Sequence, residues 1–382
     1  MQNLDNKKFN CTGCGGCANI CPTKAIKIKE DKEGFYKYFI DEKKCINCGM
    51  CIKNCPKLSK NEINNISTSS SYAAYTKNET ILNNSSSGGL FYEIAKYFIE
   101  CGGLVAGVVY ENNSTKHILT DSLEDLKEMQ GSKYLQSFTG NIYSEIKNKV
   151  KSNKVLFVGT PCQCAAIKNI IKSDNLVTID IVCHGVPSKK IFVKSLEDRF
   201  NKKIVKVNFR FKNNSWSNYS LQYLSNNKVE KTIKNYKDEW FCGYLKNLYL
   251  MKSCYSCEFN RLPRVGDITL ADCWGIQNID KDFFKKNNDK GISLVILNND
   301  IAKEIFERIK KNLIYKKQDI NKFKDYNPRI FSGVYTKKML DDREKFFNED
   351  LRYSFKKKRY SITITEELLK NIKSVIKKIL RK

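Results

Sequence analysis

Histidine, proline and long apolar runs are all scarce in this sequence of 382 residues. It contains two histidines, His117 and His184, and six prolines. No stretch approaches the roughly 20 apolar residues that span a bilayer, and the longest apolar runs, such as LVAGVVY at 104–110, have the length of a strand. The first residues, MQNLDNKKFN, lack the apolar core of a secretory signal. We therefore expect a cytoplasmic protein without a transmembrane helix.

Acidic residues are outnumbered by basic ones, 41 against 68, which gives a formal net charge of +27. The lysines are scattered among Asn, Ile and Tyr instead of forming a stripe of Arg, aromatics and Gly, so we expect no specific nucleic-acid partner. A basic field attracts phosphates and acidic proteins. Apolar residues make up 41% and aromatics 12%, which excludes a wholly disordered chain. The length suits two or three domains.

Cysteine is abundant, with sixteen residues, and in a reducing cytosol thiolates bind metals instead of forming disulfides. Two runs have the spacing Cys-x2-Cys-x2-Cys-x3-Cys-Pro, beginning at Cys11 and at Cys45. In bacterial ferredoxins the fourth cysteine of each run binds the other cluster. The runs therefore predict two [4Fe–4S] clusters, one on Cys11, Cys14, Cys17 and Cys55 and the other on Cys45, Cys48, Cys51 and Cys21. Four thiolates can also bind Zn²⁺, but two complete runs with trailing prolines favour the iron–sulfur clusters.

Composition divides the chain into four parts. Residues 1–57 form an α+β ferredoxin-like domain, with a β-hairpin predicted around Glu33-Gly34. The Ser/Asn-rich segment 58–71 has the composition of a linker. In residues 72–345 strand-like and helix-like segments alternate, which predicts a larger α/β domain with a mixed sheet. Residues 346–382 form a basic tail.

Eight cysteines lie outside the two runs. Cys162 follows a predicted strand at the start of a helix, Cys183 ends the next predicted strand, and Cys254 and Cys257 form a Cys-x2-Cys pair. Since parallel strands bring their carboxyl ends to one edge of a sheet, these four thiols could converge on a third [4Fe–4S] cluster. Cys273 is a rival ligand. Buried thiols without a metal are expected at the three remaining positions, Cys101, Cys164 and Cys242.

Two short motifs have the chemistry of a phosphate site. SSSGG at 85–89 precedes a predicted helix, whose N-terminal N–H groups can bind an anion, although a turn with a serine N-cap is the alternative. GSKYLQS at 131–137 adds a Lys, a Tyr and a Gln. His184 could deliver a proton near neutral pH or serve as a hydrogen-bonded structural residue. His117 shows no role.

In order along the chain, SSSGG, GSKYLQS, VGTPCQ, CHGVPS, the Cys254/Cys257 pair and GDITLADCWG resemble the deazaflavin (coenzyme F420) hydrogenase/dehydrogenase beta-subunit family. The resemblance covers about residues 72–345, and the ferredoxin-like segment is similar to that of longer members. It implies an FAD held in a flavin-binding middle domain beside a [4Fe–4S] cluster. It assigns FAD binding to Ser87, Gly88, Gly89, Gly131, Ser132 and Lys133, and the cluster to Cys162, Cys183, Cys254 and Cys257.

These cofactors predict an oxidoreductase that passes electrons between the clusters and FAD. Its first expected function is the reduction or oxidation of a small soluble substrate, as in members that resemble sugar-polymer biosynthesis proteins. The alternative is an electron-transfer beta subunit of a hydrogenase or dehydrogenase complex acting on a deazaflavin or a similar carrier. A redox partner such as a ferredoxin or a reductase is expected in either case.

The tail predicts a basic amphipathic helix. Thr363 to Glu366 has the form of a capping box, and Leu368, Ile372, Val375 and Ile379 follow at helical spacing among lysines. Such a helix either packs on the protein or lies on an anionic membrane surface. The second case would place the protein at the inner face of the membrane.

Overall fold

The computed structural model describes residues 4–6, 9–59, 64, 69–213, 215–226, 228–349 and 355. The predicted tail helix, which opens at Thr363, therefore lies outside the described residues. Within the described residues no helix is both long enough and apolar enough to cross a bilayer. The strands, in chain order, are β1 (Ile26–Glu30), β2 (Tyr36–Ile40), β3 (Ser70–Thr76), β4 (Leu104–Glu111), β5 (Ser114–Thr120), β6 (Ser137–Phe138), β7 (Val155–Gly159), β8 (Leu176–Ile181), β9 (Lys206–Phe211), β10 (Ser220–Ser225), β11 (Lys228–Lys234), β12 (Ile268–Asp272), β13 (Ser293–Leu297) and β14 (Leu313–Gln318).

The α-helices are α1 (Gly16–Ile20), α2 (Met50–Lys53), α3 (Glu79–Asn84), α4 (Leu90–Glu100), α5 (Leu123–Met129), α6 (Ile142–Lys149), α7 (Pro161–Ile170), α8 (Lys189–Arg199), α9 (Glu239–Leu245), α10 (Ile276–Ile279), α11 (Lys281–Asn287), α12 (Asp300–Ile309) and α13 (Lys337–Glu349). Short 3-10 helices lie at Leu4–Asn6, Lys252–Ser256, Lys310–Asn312, Ile320–Phe323 and Pro328–Ile330.

The N-terminal segment contains the predicted hairpin. Strands β1 and β2 pair antiparallel, with Ile26 opposite Ile40 and Glu30 opposite Tyr36. Gly34 makes the turn with a φ of 85° and lies against Lys190, where a Cβ would approach backbone and side chain to 2.6 Å. Each cysteine run leads into a short helix, α1 or α2. The expected combination of short helices and a hairpin is therefore present in this segment.

The middle region is built on a mixed nine-stranded sheet in the order β14-β3-β13-β12-β8-β7-β4-β5-β6. The strands β12, β8, β7 and β4 pair parallel with one another in turn, and β3, β13 and β14 join antiparallel. This confirms the predicted α/β domain with a mixed sheet. Strand β3 begins at Ser70, so it includes the last two residues of the segment predicted to be a linker.

Helices cover both faces of this sheet because successive buried residues of its central strands point to opposite sides. Leu156 packs into a cluster with α4 and α12, whereas its neighbour Phe157 packs into a second cluster with α6 and α7. Helix α7 begins with a capping box between Thr160 and Gln163 and has Pro161 at its first turn. These residues therefore set the start of α7 at the carboxyl end of β7.

A second, antiparallel sheet of β11, β10 and β9 lies outside the main one. It packs with α8 and α9 around an aromatic cluster that contains Phe192, Phe209, Trp240 and Tyr249. This cluster holds the end of β9 against the large domain. As a result, two basic residues near the end of β9, Arg210 and Lys212, reach the SSSGG loop.

Candidate functional site

The second run of cysteines forms a small cavity near the surface. Its lining includes the four thiols predicted to share a cluster, Cys21, Cys45, Cys48 and Cys51. Asn47 and Gly49 both have left-handed backbone conformations, with φ of 53° and 74°, which curl the loop around the cavity. The structure thus brings together the four thiols that the cysteine spacing assigns to one cluster.

The first run and Cys55 form the neighbouring thiol group. Burial raises the pKa of Cys17, and negative charge on Cys14, Cys11 and Cys55 raises it further. Burial also raises the pKa of Cys11 to about 11 and that of Cys55 to about 12. Cations would relieve the repulsion among four thiolates, so this donor set fits an iron–sulfur cluster.

A third thiol cavity lies at the edge of the main sheet. Cys162 on α7, Cys183 after β8, and Cys254 and Cys257 all line it, as the resemblance implied. Burial raises the pKa of Cys162, and Cys14 of the first run is the next largest contribution. Burial together with Cys257 raises the pKa of Cys183 to about 11. These four thiols also fit a cluster.

The other cysteines of the large domain lie outside the lining of this cavity. Cys273, the rival ligand, is fully buried in a different apolar cluster with Phe283 and Ile276. Cys164 lies 3.4 Å from the carbonyl oxygen of Ile179. Cys242 lies 3.5 Å from the carbonyl oxygen of Asn235. Cys101 is exposed. Among the described residues, no three His, Cys, Asp or Glu side chains converge as they would around a single metal ion.

The three thiol groups follow one another from the surface inward. Cys51 of the second group contributes to the raised pKa of Cys17 in the first group, and Cys14 does the same for Cys162 in the third. The ferredoxin-like segment is held in this position by hydrogen bonds. The Tyr143 hydroxyl donates to the Cys14 carbonyl oxygen at 2.8 Å, and the Asn19 amide donates to the Gly140 carbonyl oxygen at 2.8 Å. Thr12 and Lys57 even line the third cavity.

A much larger cavity, of about 300 Å³, lies next to the third thiol group. Its lining includes Ser85–Ser87, Gly89–Phe91, Gly131–Leu135, Val158–Thr160 and Ile181–Pro187. Cys183, Gly185 and Val186 line both this cavity and the third thiol cavity, and we call these three residues the shared wall. A molecule in the large cavity would therefore lie against a ligand residue of the third thiol group.

The SSSGG loop forms one end of the large cavity. The Ser87 hydroxyl donates to the Ile292 carbonyl oxygen at 2.6 Å, and the Gly88 N–H donates to Ser293 Oγ at 2.9 Å. A Cβ at Gly88 would lie 2.3 Å from the Ala74 carbonyl oxygen. Gly89 has a φ of 84° and caps α4. Ser87 and Gly88 therefore hold the loop on the sheet, while Gly89 and the first residues of α4 face the cavity.

The second predicted phosphate motif has a divided role. Gly131 has a φ of 80°, and a Cβ there would meet no atom within 4 Å. The Ser132 N–H donates to Ser86 Oγ at 2.6 Å, which joins the two motifs. The Lys133 ammonium donates to the carbonyl oxygens of Met129, Gln130 and Gly131, and burial lowers its pKa to about 7. Lys133 thus caps the end of α5 at the edge of the cavity.

The SSSGG loop is held by two basic residues, Arg210 and Lys212. Neither residue stands out in the sequence. Arg210 donates to the Ser86 carbonyl oxygen at 3.2 Å and pairs with Asp272 at 2.9 Å. The Lys212 ammonium donates to three carbonyl oxygens, those of Leu82, Ser87 and Lys290. These contacts turn the loop carbonyls away from the cavity. No spacing pattern links β9 to residues 85–89, so only the fold could reveal them.

His184 lies beside the shared wall and lines the large cavity. Burial, and then the positive charge of Arg329, lower the pKa of the imidazole to about 3. Its Nε2 is buried without a hydrogen-bond partner among the described residues. The lowered pKa favours a neutral ring that can form a hydrogen bond with a bound molecule, and proton delivery by His184 stays a prediction. His117 is buried against Phe157, 5.2 Å between ring centroids, which agrees with a structural role.

Arg329 forms hydrogen bonds with the segment around His184. It donates to the His184 carbonyl oxygen at 2.6 Å, to Asn247 Oδ1 at 3.2 Å and to the Tyr335 hydroxyl. Its charge lowers the pKa of both Cys183 and Cys254 against the larger effect of burial. Arg329 is therefore a half-buried cation near two thiols of the third group.

Comparison with known proteins agrees with this architecture. Residues 152–322 match the family described as the C terminus of the beta subunit of coenzyme F420 hydrogenase/dehydrogenase, and residues 10–58 match the 4Fe-4S dicluster domain. Residues 152–322 are thus similar to that family, and a segment similar to the 4Fe-4S dicluster domain precedes them. The resemblance seen in the sequence motifs is thereby confirmed.

Two curated relatives match part of the chain. An uncharacterised protein of Methanocaldococcus jannaschii is 30% identical over 203 residues, which are 43% of this chain and 54% of that protein. One of the subunits of the F420H2 dehydrogenase of Methanosarcina mazei is 25% identical over 216 residues, 52% of this chain and 59% of its own length. The chain thus spans between half and three-fifths of these relatives. A chain of the F420-reducing [NiFe] hydrogenase complex from Methanosarcina barkeri covers 75% of this chain and 95% of its own length at 16% identity and a TM-score of 0.49.

Proposed function

We propose that this protein is an electron-transfer oxidoreductase subunit that exchanges single electrons at its ferredoxin-like end and a hydride at the large cavity. The observation that carries the proposal is the shared wall, because one short segment supplies both a thiol of the third group and a side of the large cavity. The family of residues 152–322 and the named dehydrogenase relative support it. They favour the beta-subunit alternative over a role in sugar-polymer biosynthesis.

FAD is the cofactor that we propose for the large cavity. A bound flavin would supply the conversion between one-electron and two-electron chemistry. Gly89 and the first turn of α4 offer backbone N–H groups to a phosphate, and the open space at Gly131 leaves room for it. Ser87, Gly88, Ser132 and Lys133 shape this end of the cavity through the hydrogen bonds described above.

The protein's own residues then prepare the other end for hydride exchange. His184 lines the cavity, and its Nε2 has no hydrogen-bond partner among the described residues, so it could hold a polar edge of the bound ring or of the carrier. Tyr244, whose ring centroid lies 4.8 Å from that of His184, packs beside it. These apolar and neutral groups exclude water from the region next to the shared wall. The carrier that we propose is a deazaflavin or a similar soluble hydride carrier.

The test begins with anaerobic purification and analysis of iron, sulfide and flavin. About twelve irons and one FAD per chain are expected for three cubane clusters and a flavin. The purified protein is then mixed with the reduced deazaflavin F420 or with NADH, and bleaching of the visible iron–sulfur absorption is followed. Bleaching by reduced F420 supports the proposal. A protein that contains no flavin after careful handling, or that accepts electrons from neither carrier, contradicts it.

The division of the chain into 1–57, 58–71, 72–345 and 346–382, and peripheral membrane contact through the basic tail, remain proposals. The tail's net positive charge is the feature that supports membrane contact, since each cation near an anionic surface contributes about 1 kcal/mol. Co-sedimentation with anionic vesicles, compared between the full chain and a chain ending at residue 354, tests it. Equal sedimentation of the two would reject a membrane role for the tail.

A further inference from the structure

The second thiol group is the one that reaches the surface. Of the twelve thiols predicted to bind clusters, Cys48 alone is exposed, whereas Cys14, Cys51 and Cys55 are buried and the other eight are intermediate. The third group lies behind the first, next to the large cavity. Electron exchange with an outside protein is therefore most direct at Cys48, since the other groups are separated from solvent by more protein.

Exposed apolar side chains surround Cys48. Ile46 is 59% exposed and Met50 is 37% exposed, and both line the second thiol cavity. Isolated exposed apolar residues are ordinary, but two of them on either side of an exposed thiol in a redox site form the apolar centre of a small protein-binding surface.

Positive charge dominates the margin of this patch. Four lysines next to the cysteine runs, Lys24, Lys43, Lys44 and Lys53, are exposed. The nearby carboxylates along the same segment are those of Asp41, which lies 4.0 Å from Lys44, and Glu42. We define the Cys48 face as Ile46, Met50 and these four lysines. Its charge is complementary to a partner with an acidic surface and opposed to a basic one.

We propose that the Cys48 face is the docking surface for an acidic protein that carries one electron, such as a small acidic iron–sulfur protein. The inference rests on the proposed function. In each encounter the carrier is oxidised by one electron and the chain is reduced by one. Two encounters deliver two electrons, which together with a proton from solvent equal one hydride transferred from the large cavity to the soluble hydride carrier. When the hydride carrier donates the hydride instead, two electrons leave through the same surface and a proton returns to solvent. The apolar centre gives close contact, and the lysines steer the approach.

The experiment measures the second-order rate at which a chemically reduced, small acidic ferredoxin reduces the full chain in an anaerobic stopped-flow instrument. The wild-type rate should fall steeply with ionic strength. The double variant Lys43→Glu/Lys44→Glu should lower the rate at low salt by about tenfold. The matched control, Lys285→Glu/Lys286→Glu, reverses an adjacent, exposed pair on α11 and should leave the rate within about twofold of wild type.

A second pair of variants keeps the inference testable if the first fails to assemble its clusters. Lys24→Glu/Lys53→Glu should slow the same reaction, and Ile46→Gln should slow it with little change in its salt dependence. With cytochrome c, a basic carrier, as electron acceptor from the reduced chain, the charge reversals should raise the rate instead. Iron and sulfide content, with the EPR spectrum of the dithionite-reduced protein, shows that each variant is loaded.

Rates that do not depend on salt, or equal rates in the Cys48-face variants and the α11 control, would overturn the inference. Hydride exchange with reduced F420 is measured separately on the same samples. If that exchange persists while the ferredoxin rate is insensitive to the Cys48 face, the docking surface is wrong and the proposed function stands. If the exchange is absent while the ferredoxin rate shows the expected pattern, the proposed function is wrong and the docking surface stands.

Discussion

The ferredoxin-like thiol groups and the third thiol group reach similar chemistry by different routes. In the first region each run places four cysteines within eleven residues, and short helices with left-handed residues before them set the loop. In the second region Cys162, Cys183 and the Cys254/Cys257 pair come together only because β7 and β8 pair parallel and end at the same edge. The ferredoxin-like sites can be recognised from the local spacing of their cysteines, whereas the third site depends on the topology of the whole sheet.

The largest effect should come from breaking the third group. Cys254→Ser removes a thiol from its cavity and should lower iron by about one cluster, or four atoms, while the ferredoxin-type EPR signal persists. Cys273→Ser is the control, because this thiol lies in a different apolar cluster and does not line the third cavity. Iron and sulfide analysis with EPR makes the measurement. Equal iron in the two variants would show that the four thiols do not share a cluster.

The next effect sharpens the comparison at the contact between the two regions. Gly15 and Gly49 occupy equivalent places in the two runs, with φ of 79° and 74°. Gly15 faces the large domain, where a Cβ would lie 1.9 Å from Thr139 Oγ1. Gly49→Ala should therefore cost about 1 kcal/mol of stability through backbone strain, and Gly15→Ala about 3 kcal/mol through strain and overpacking.

Anaerobic thermal unfolding of the loaded protein measures this difference. Adding Thr139→Ala to Gly15→Ala should recover part of the loss, since it removes the nearest atom. Equal melting temperatures for the Gly15 and Gly49 variants would mean that the two regions do not pack as described.

A smaller effect should follow from changing the half-buried cation near the third group, Arg329. Arg329→Gln removes positive charge near Cys183 and Cys254, and should lower the reduction potential of the third cluster because reduction adds negative charge there. Arg329→Lys keeps the charge and should shift the potential less. Redox titration followed by EPR makes the measurement. An unchanged potential in Arg329→Gln, or equal shifts in both variants, would exclude an electrostatic role for this residue.

The smallest effect is expected at the SSSGG loop. Lys212→Met leaves the carbonyl oxygens of Leu82, Ser87 and Lys290 without their donor, which should cost about 2 kcal/mol and weaken FAD binding. Lys285→Met, at an exposed position on α11, is the control. Flavin titration of the flavin-free protein checks the affinity. Tighter or unchanged binding in Lys212→Met would mean that the loop does not help to hold the cofactor.

Much of the fold followed from local pattern. The strands β7, β8, β12 and β13 are short apolar runs between turn residues, and α4 and α7 begin where capping residues indicate. Strands with largely exposed faces were not recognised. In β14 only Leu313 is buried, and in β11 no residue is buried, so lysines obscure the alternation that reveals a strand.

The site divides in the same way. Cysteines announce their chemistry by residue type and spacing, and the structure groups them as the sequence predicted. Arg329, Arg210 and Lys212 act through contacts with residues more than sixty positions away, and a single Arg or Lys in a lysine-rich chain has no distinguishing pattern. His184 stands out in the sequence because histidine is rare. Only the fold shows that burial and the charge of Arg329 lower the pKa of its imidazole, which favours the neutral ring.

The exposure of Cys48 also determines how the protein fails under oxidative stress. Oxygen or peroxide in solution meets this thiol before the buried ones, and thiol oxidation follows exposure. Damage at this outermost position disconnects the interior from electron carriers while the inner thiol groups stay covered. The large cavity then receives no further electrons that a bound flavin could pass to oxygen. Loss of the outer site would therefore come first and would protect the inner thiol groups.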